Sequence, residues 1–281
     1  MGRTRYAAWL LGLWLLTLPT EGFGGAWTLR QGDVYLELFS QGFWADEAFD
    51  ASRRRVPTPN DGFFYEVREE LKVEVGVLSD RFNLLFALPV ETAHFKDQNV
   101  SLRTTGVEEI RLGGKYLLTF PQPTPIVISG QLMGKFPACD KRDQPPLADC
   151  QVDIDMRLIA SMGLWKQPEL DLSRLFASLE VGYRFRAGAP ADELPYFFEV
   201  GVNVWKRFWV KGTLDGVESR PFGGGVEEDF HKWTVALLLS KDPTQRVQHQ
   251  IPGVELGYGR VYAGKNTGAG QMVFLKLSYQ F

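Results

Sequence analysis

Two short acidic motifs are the residues of this chain best suited to catalysis. Asp153 is separated from Asp155 by a single isoleucine, and Asp229 is separated from His231 by a single phenylalanine. Clustered carboxylates near a histidine can activate a water molecule by general base catalysis. Each motif lies beside a stretch long enough to form a loop, so a hydrolytic site at the rim of a sheet is one interpretation of the sequence.

The same motifs also fit a simple alternation of polar and apolar residues, and we favour this second interpretation. Asp153, Asp155 and Arg157 alternate with apolar residues and continue one polar row of a strand. In a strand, residues two positions apart share a face, and this alternation places His231 with Trp233 on the outward face, opposite to the polar row. Because spacings of two residues also arise by chance, we expect a protein that is not an enzyme.

An alternation with a period of two recurs along the chain, whereas helical periodicity is nowhere sustained. It is clear in the segments 66–77, 82–90, 108–120, 126–136, 151–165, 174–186 and 273–281. We count about 12 strands, connected by short turns that alternate with longer stretches. The sequence therefore predicts an all-β fold with one domain and no internal boundary.

The first 26 residues have the layout of a secretory signal. Arg3 and Arg5 precede an apolar run from about Tyr6 to Pro19, and small residues follow it. A membrane anchor is the alternative, but the run is short for a span of about 20 residues. We predict a signal peptide over 1–26, cleaved after Gly22 or Ala26, and a mature domain over 27–281.

The composition excludes some partners and favours a membrane. The chain has 31 basic and 34 acidic residues, a balance that gives no indication of nucleic-acid binding. Aromatic residues make up 13% of the chain although its mean hydropathy is only −0.15. A membrane protein combines these properties by closing a sheet into a barrel, so that alternate residues face lipid and lumen.

The C-terminal segment "VFLKLSYQF" alternates and ends on Phe281, and with the signal it resembles the outer-membrane β-barrels of Gram-negative bacteria. The resemblance implies a closed antiparallel transmembrane barrel in the cell outer membrane, surrounded by lipid and lipopolysaccharide. It also implies that the barrel-assembly machinery reads the last strand. The segments 25–44 and 71–90 are similar to XagA-like or MetA-pathway transport barrels, and the resemblance to the MetA-pathway group implies hydrophobic aromatic substrates. The polar inner face argues against such substrates.

Parity predicts the residues that line the lumen. The predicted pore-lining residues are Glu66, Arg68, Glu70, Lys72, Glu109, Arg111, Lys115, Asp153, Asp155, Arg157, Glu180 and Arg184, with Glu74, Lys135, Arg186, Glu199 and Lys211 on the same face. The two signs of charge nearly cancel in this set. About 12 strands lies between the small barrels that side chains fill and the large barrels that leave a channel. We therefore expect a porin-like barrel that passes small solutes through a narrow charged lumen. A plugged structural barrel is the alternative, and a rim-located hydrolase, as in some outer-membrane proteases, is a third.

Two further predictions concern cysteines and aromatic residues. Cys139 and Cys150 are expected to form a disulfide in a loop, because an exported chain meets oxidising conditions. Two cysteines without a nearby histidine are too few for a metal site, and we expect no metal and no cofactor. Aromatic residues are expected to form two belts at the membrane interfaces. We assign Trp27, Trp165, Phe208, Trp209 and Phe281 to the periplasmic belt and Phe43, Trp44, Phe63, Phe64, Tyr196, Phe197, Trp233 and Tyr262 to the outer one.

Overall fold

A computed structural model describes most of the chain. The described residues are 25–119, 126–140, 142–145, 147, 150–167, 172–188, 191–205, 207–220, 227–240 and 252–281. They form sixteen strands and one 3-10 turn, Pro59–Asp61, and none of them belongs to a helix long and apolar enough to cross a bilayer. The strands are β1 Val34–Ala45, β2 Glu47–Phe49, β3 Arg55–Pro57, β4 Phe63–Leu78, β5 Phe82–Lys96, β6 Ser101–Val107, β7 Glu109–Leu117, β8 Ile126–Pro137, β9 Asp153–Gln167, β10 Leu172–Arg186, β11 Asp192–Trp205, β12 Phe208–Arg220, β13 Asp229–Leu239, β14 Gly253–Lys265, β15 Thr267–Gly268 and β16 Gln271–Gln280.

The long strands form a closed antiparallel barrel of twelve wall positions. Their order is β1, β4, β5, β6 with β7, then β8 to β14 and finally β16, which pairs with β1 and closes the ring. Strands β6 and β7 both pair with β5 and are separated only by Glu108, so they occupy one position in the wall. This arrangement confirms the predicted single closed antiparallel barrel of about 12 strands.

The two faces of the wall differ as the alternation predicted. Large apolar side chains point outward, and Leu237 and Leu256 are each 60% exposed. In the last strand, Val273, Leu275 and Leu277 share this outer face. Phe274, the exception to that strand's pattern, points inward and packs on Phe39 with the ring centroids 5.8 Å apart.

The two ends of the barrel can be distinguished by their connections. The short turn at residues 79–81 lies at the end where the chain finishes, as do the end of β11 at Trp205 and the start of β12 at Phe208. Barrels place their short connections toward the periplasm. At the other, outer end, β2, β3 and β15 form a small three-stranded sheet. This sheet contributes Phe49 to an apolar cluster, and Ala269 beside β15 belongs to the same cluster.

That apolar cluster, which we call the outer core, fills the outer end of the barrel interior. Its buried members include Phe43, Phe64, Phe95, Phe230 and Met272, contributed by five different strands. The prediction that Phe43 and Phe64 belong to an outer membrane belt was therefore wrong.

Trp209 is another predicted belt residue that points inward, where it packs with Phe176 and Leu238. The side chain of Trp165 lies outside the described residues. Alternation alone cannot decide which face of a locally apolar strand is the inner one, and this is why these aromatic residues were misassigned.

Strands β5 and β6 extend further outward than the sequence indicated. The alternating segment 82–90 continues into residues 91–106, which complete a hairpin whose turn is residues 97–100. In this extension the polarity of the strand is inverted, because Ala93 and Phe95 point into the outer core. A disulfide joins Cys139 and Cys150 with their Cα atoms 5.5 Å apart, and Cys139 packs against the outer core.

Candidate functional site: the charged lumen

The charged residues of the inner face are concentrated between the outer core and the periplasmic end. All twelve predicted pore-lining residues are buried, and none is more than 8% exposed. Arg68, Glu70, Lys115 and Arg184 are completely shielded from solvent. Charges in such surroundings are stable only when they are paired and hydrogen-bonded.

One network of ion pairs connects β4, β7 and β8. Arg68 lies 3.0 Å from Glu108 and 3.2 Å from Glu70, which also faces Arg111 at 3.7 Å. The Nε of Arg111 donates to Glu109 at 2.6 Å. Lys135 on β8 approaches the same carboxylate at 3.4 Å. Basic and acidic groups therefore alternate along the inner face from β4, past β5, to β7 and β8.

A second network connects β9, β10 and β11. Asp155 accepts hydrogen bonds from Arg157 at 2.9 Å and from the Nη2 of Arg184 at 3.1 Å. Arg157 also faces Glu180 at 3.4 Å, and Arg184 donates to Glu193 at 2.5 Å. Each arginine thus bridges two carboxylates on different strands. This geometry permits a guanidinium to exchange one partner while it keeps the other.

Smaller groups of ion pairs complete the lining. Lys72 donates to Glu37 at 3.0 Å, and Lys276 lies 3.8 Å from the same carboxylate. On the other side of the closing seam, Lys211 lies 2.6 Å from Glu199 and 3.0 Å from Glu255. Nearer the periplasmic end, Lys115 pairs with Glu74 at 2.8 Å.

The balance of charge in the interior differs from the near-cancellation that the sequence suggested. Among the described residues, fifteen carboxylate side chains and only nine basic side chains are buried. Eight buried carboxylates were not among the predicted lining residues: Glu37, Glu91, Glu108, Glu193, Asp215, Glu228, Asp229 and Glu255. Several of them obey the same alternation and could have been found by it. The described part of the interior therefore contains more buried carboxylates than buried basic side chains.

The N-terminal segment, residues 25–33, enters the periplasmic end of the barrel, with residues 25–29 inside and Arg30, Gln31 and Gly32 exposed at the rim. Ala26 and Leu29 are completely buried. The backbone N–H of Ala26 donates to the Oγ of Ser161 at 2.9 Å, and the N–H of Leu29 donates to the Oδ1 of Asn83 at 3.2 Å. Since Asn83 is on β5 and Ser161 is on β9, the segment covers the inner wall past several strands.

Two further contacts hold the ends of this segment. Lys115 donates to the carbonyl of Gly25 at 3.2 Å, and the N–H of Gly32 donates to the carbonyl of Gly76 at 2.9 Å. A Cβ atom at Gly76 would collide with the carbonyl of Arg30, so only glycine permits this close approach. The segment thus narrows the lumen at the end opposite to the outer core.

The two acidic motifs do not form a hydrolytic site. Asp155 points inward on β9, where two arginines occupy its carboxylate, whereas His231 is on β13, four wall positions away. The Nδ1 of His231 is hydrogen-bonded to the hydroxyl of Tyr196, and Asp229 is paired with Arg53 at 2.6 Å. No described group of histidine, cysteine and acidic residues has the arrangement of a metal site.

Comparison with known proteins identifies the fold. No protein-family model and no curated protein matches the sequence. The structure is similar to the COG4313 outer membrane channel from Pseudomonas putida F1, with a TM-score of 0.71 and 12% identity over 93% of this chain and 100% of that chain. It is also similar to the translocator domain of the autotransporter NalP from Neisseria meningitidis, with a TM-score of 0.50 and 6% identity over 88% of both chains.

These similarities show a fold, that of outer-membrane β-barrels. A closed barrel of this fold, with apolar side chains around its outer surface, belongs in a bilayer. The predicted resemblance to Gram-negative outer-membrane barrels and the predicted location in the outer membrane are confirmed. The described neighbours are channels and translocators rather than enzymes.

Proposed function

We propose that this protein is a narrow outer-membrane channel for small solutes, with a preference for cations, and that the structure represents its closed conformation. The main observation in support of this proposal is the row of alternating ion pairs that lines the interior between the outer core and the N-terminal segment. A barrel that only needed stability could fill this space with apolar residues, because buried ion pairs contribute little net stability. The excess of buried carboxylates over buried basic side chains in the described lining favours cations over anions.

Passage in this proposal proceeds by exchange of partners. Arg157 and Arg184 each contact two carboxylates, so one contact can open while the other still compensates the charge. A small cation that enters would replace a guanidinium beside Asp155 for part of its path. Because this exchange of ion-pair partners opens only a small space at a time, a small cation can pass without a wide pore, whereas large solutes are excluded.

Conductance in planar bilayers tests the proposal. We expect small single-channel steps and a reversal potential that shows cation preference under a salt gradient. Arg111→Ala and Lys115→Ala each remove an inward positive charge, so both should increase the cation preference. Arg142→Ala, at an exposed position in an outer loop, is the matched control and should change nothing. An unchanged reversal potential in both lumen variants would contradict the proposal.

A structural barrel without conductance is the second candidate. It is favoured by the complete burial of Arg68, Glu70, Lys115 and Arg184, which leaves no open path beside them in this conformation. Replacement of residues 25–30 by glycine and serine separates the two candidates. A channel should then show larger or more frequent openings, because the periplasmic constriction is removed, whereas a structural barrel should stay silent.

Processing and assembly are also part of the proposal. We propose that residues 1–22 are removed as the signal peptide, because cleavage after Ala26 would delete the contacts of Gly25 and Ala26 inside the barrel. Mass spectrometry of the mature chain checks this, since a mature chain that begins at Trp27 contradicts it. We further propose that the barrel-assembly machinery recognises β16 together with the residue after it, Phe281, which is hydrogen-bonded to Val34 at 2.8 and 3.0 Å.

A further inference from the structure

The outer surface of the β5–β6 hairpin changes from apolar to polar at one level along the barrel axis. On β5 the outward residues Leu84, Phe86, Leu88 and Val90 are apolar, whereas the next outward residues are polar. In a membrane barrel this change marks the upper boundary of the hydrocarbon. The boundary on this face therefore lies between Val90 and Thr92.

Three basic side chains lie just beyond this boundary. His94 is paired with Arg103 across the two strands, and Lys96 follows His94 on the same face of β5. At about 3.4 Å per residue and a strand tilt of about 40°, His94 and Arg103 lie roughly 10 Å above the Val90 level, in the headgroup region. Lys96 lies about 5 Å higher, within reach of the same region through its flexible side chain.

The patch formed by His94, Lys96 and Arg103 contains no acidic side chain. Lys96 and Arg103 are exposed, and neither forms an ion pair with any described residue. The closest carboxylate in the sequence, Asp97, accepts hydrogen bonds from the backbone N–H groups of Asn99 and Val100, at 2.7 Å each, within the hairpin turn. The patch therefore adjoins a defined turn, and among the described residues no carboxylate pairs with Lys96 or Arg103.

The rim at the outer ends of β12 and β13 lacks this property. On β12 and β13 the outward Glu218 lies 3.7 Å from both Arg53 and His231, so positive and negative groups are mixed there. Aromatic rings accompany the basic patch instead, since Tyr65 is paired with His94 and Phe63 with Lys96. Aromatic rings beside positive charges at the same level of the wall match the level at which the acyl chains of a lipid meet its anionic groups.

We propose that this patch binds the phosphate groups of the phosphorylated glycolipid of the outer leaflet, with its acyl chains against Val90 and Leu88. Arg103 and Lys96 supply charged donors, because a guanidinium and an ammonium both form strong hydrogen bonds with phosphate oxygens. His94 supplies one further ring nitrogen, Nε2, which lies 3.1 Å from the Oγ of Ser101. This site lies on the lipid-facing surface and does not depend on conduction through the lumen.

Binding of diphosphorylated lipid A to the purified barrel in detergent tests the proposal. A basic residue near an anionic membrane surface contributes about a fivefold change in affinity, so Lys96→Gln with Arg103→Gln should weaken binding about 30-fold. The conservative pair Lys96→Arg with Arg103→Lys should bind like the native protein. Arg142→Gln with Arg207→Gln, two exposed positions outside the patch, removes the same charge and should have no effect.

Measurements with two other ligands show whether the patch recognises phosphate on a lipid or free phosphate. Dephosphorylated lipid A should bind weakly and equally to all variants, and excess inorganic phosphate should not replace diphosphorylated lipid A. Heat-modified migration in gels confirms that each variant is folded. Native-like binding by the Lys96→Gln and Arg103→Gln double variant would overturn the proposal. Equal binding of dephosphorylated lipid A, or full competition by inorganic phosphate, would overturn it as well.

Discussion

Asp155 provides the most direct test of whether the charged interior is dry. Its carboxylate is 2% exposed and accepts four hydrogen bonds, two from Arg157 at 2.9 Å and two from Arg184 at 3.2 and 3.1 Å. Asp155→Asn keeps the shape of the side chain but removes the negative charge between two guanidinium groups. The ion pairs that remain are then that of Arg157 with Glu180 and that of Arg184 with Glu193.

The expected loss of stability is large. Removal of one partner from a buried ion pair costs about 3–5 kcal/mol, because the other charge stays buried without compensation. Urea unfolding of the barrel in detergent micelles, followed by tryptophan fluorescence, measures this loss. Asp46→Asn changes an exposed carboxylate just after β1 and should alter the free energy of unfolding by less than about 0.5 kcal/mol.

A second substitution separates charge from packing. Addition of Arg184→Gln to Asp155→Asn removes one of the stranded guanidinium groups, so the double variant should lose less stability than the sum of the single losses. A coupling of roughly 1–3 kcal/mol is expected for residues in one network. A loss below about 1 kcal/mol for Asp155→Asn would refute the reasoning. Such a result would mean that water solvates both guanidinium groups and that the lumen is open in solution.

Three further predictions concern the lipid-facing surface, the outer core and the outer sheet. Glu69 faces lipid between Val67 and Leu71 and accepts a hydrogen bond from Ser40 at 2.7 Å, so Glu69→Leu should stabilise the barrel in lipid vesicles by about 1–2 kcal/mol in urea unfolding. Phe43→Ala should cost about 3–5 kcal/mol by the same measurement, because Phe43 is fully buried in the outer core. The backbone N–H of Arg54 contributes most to holding the pKa of Asp50 below 3.8. The turn at Asp50 should therefore keep its amide protection above that pH and lose it as the pH falls further, and Asp50→Asn should abolish this pH dependence.

The sequence predicted the barrel well because its signal is local. In a strand that separates lipid from an interior, each residue's face follows from its parity, so apolar residues such as Leu275 and Leu277 could be assigned without coordinates. The strand count followed from the number of alternating segments. The prediction failed where both faces are apolar, as at Phe43 and Trp209, and where a strand leaves the membrane and its polarity inverts, as at Phe95.

Alternation in the sequence therefore determined the closed barrel, its outward apolar surface and its inward charges. Only the tertiary structure decided which charges meet, because ion pairs such as Arg184 with Asp155 depend on the register between strands. It also placed the N-terminal segment against Asn83 and Ser161, residues more than 50 positions away in the chain. Parity gives the direction in which a side chain points, but the partner that it finds across a closed barrel depends on how all the strands are aligned around the ring.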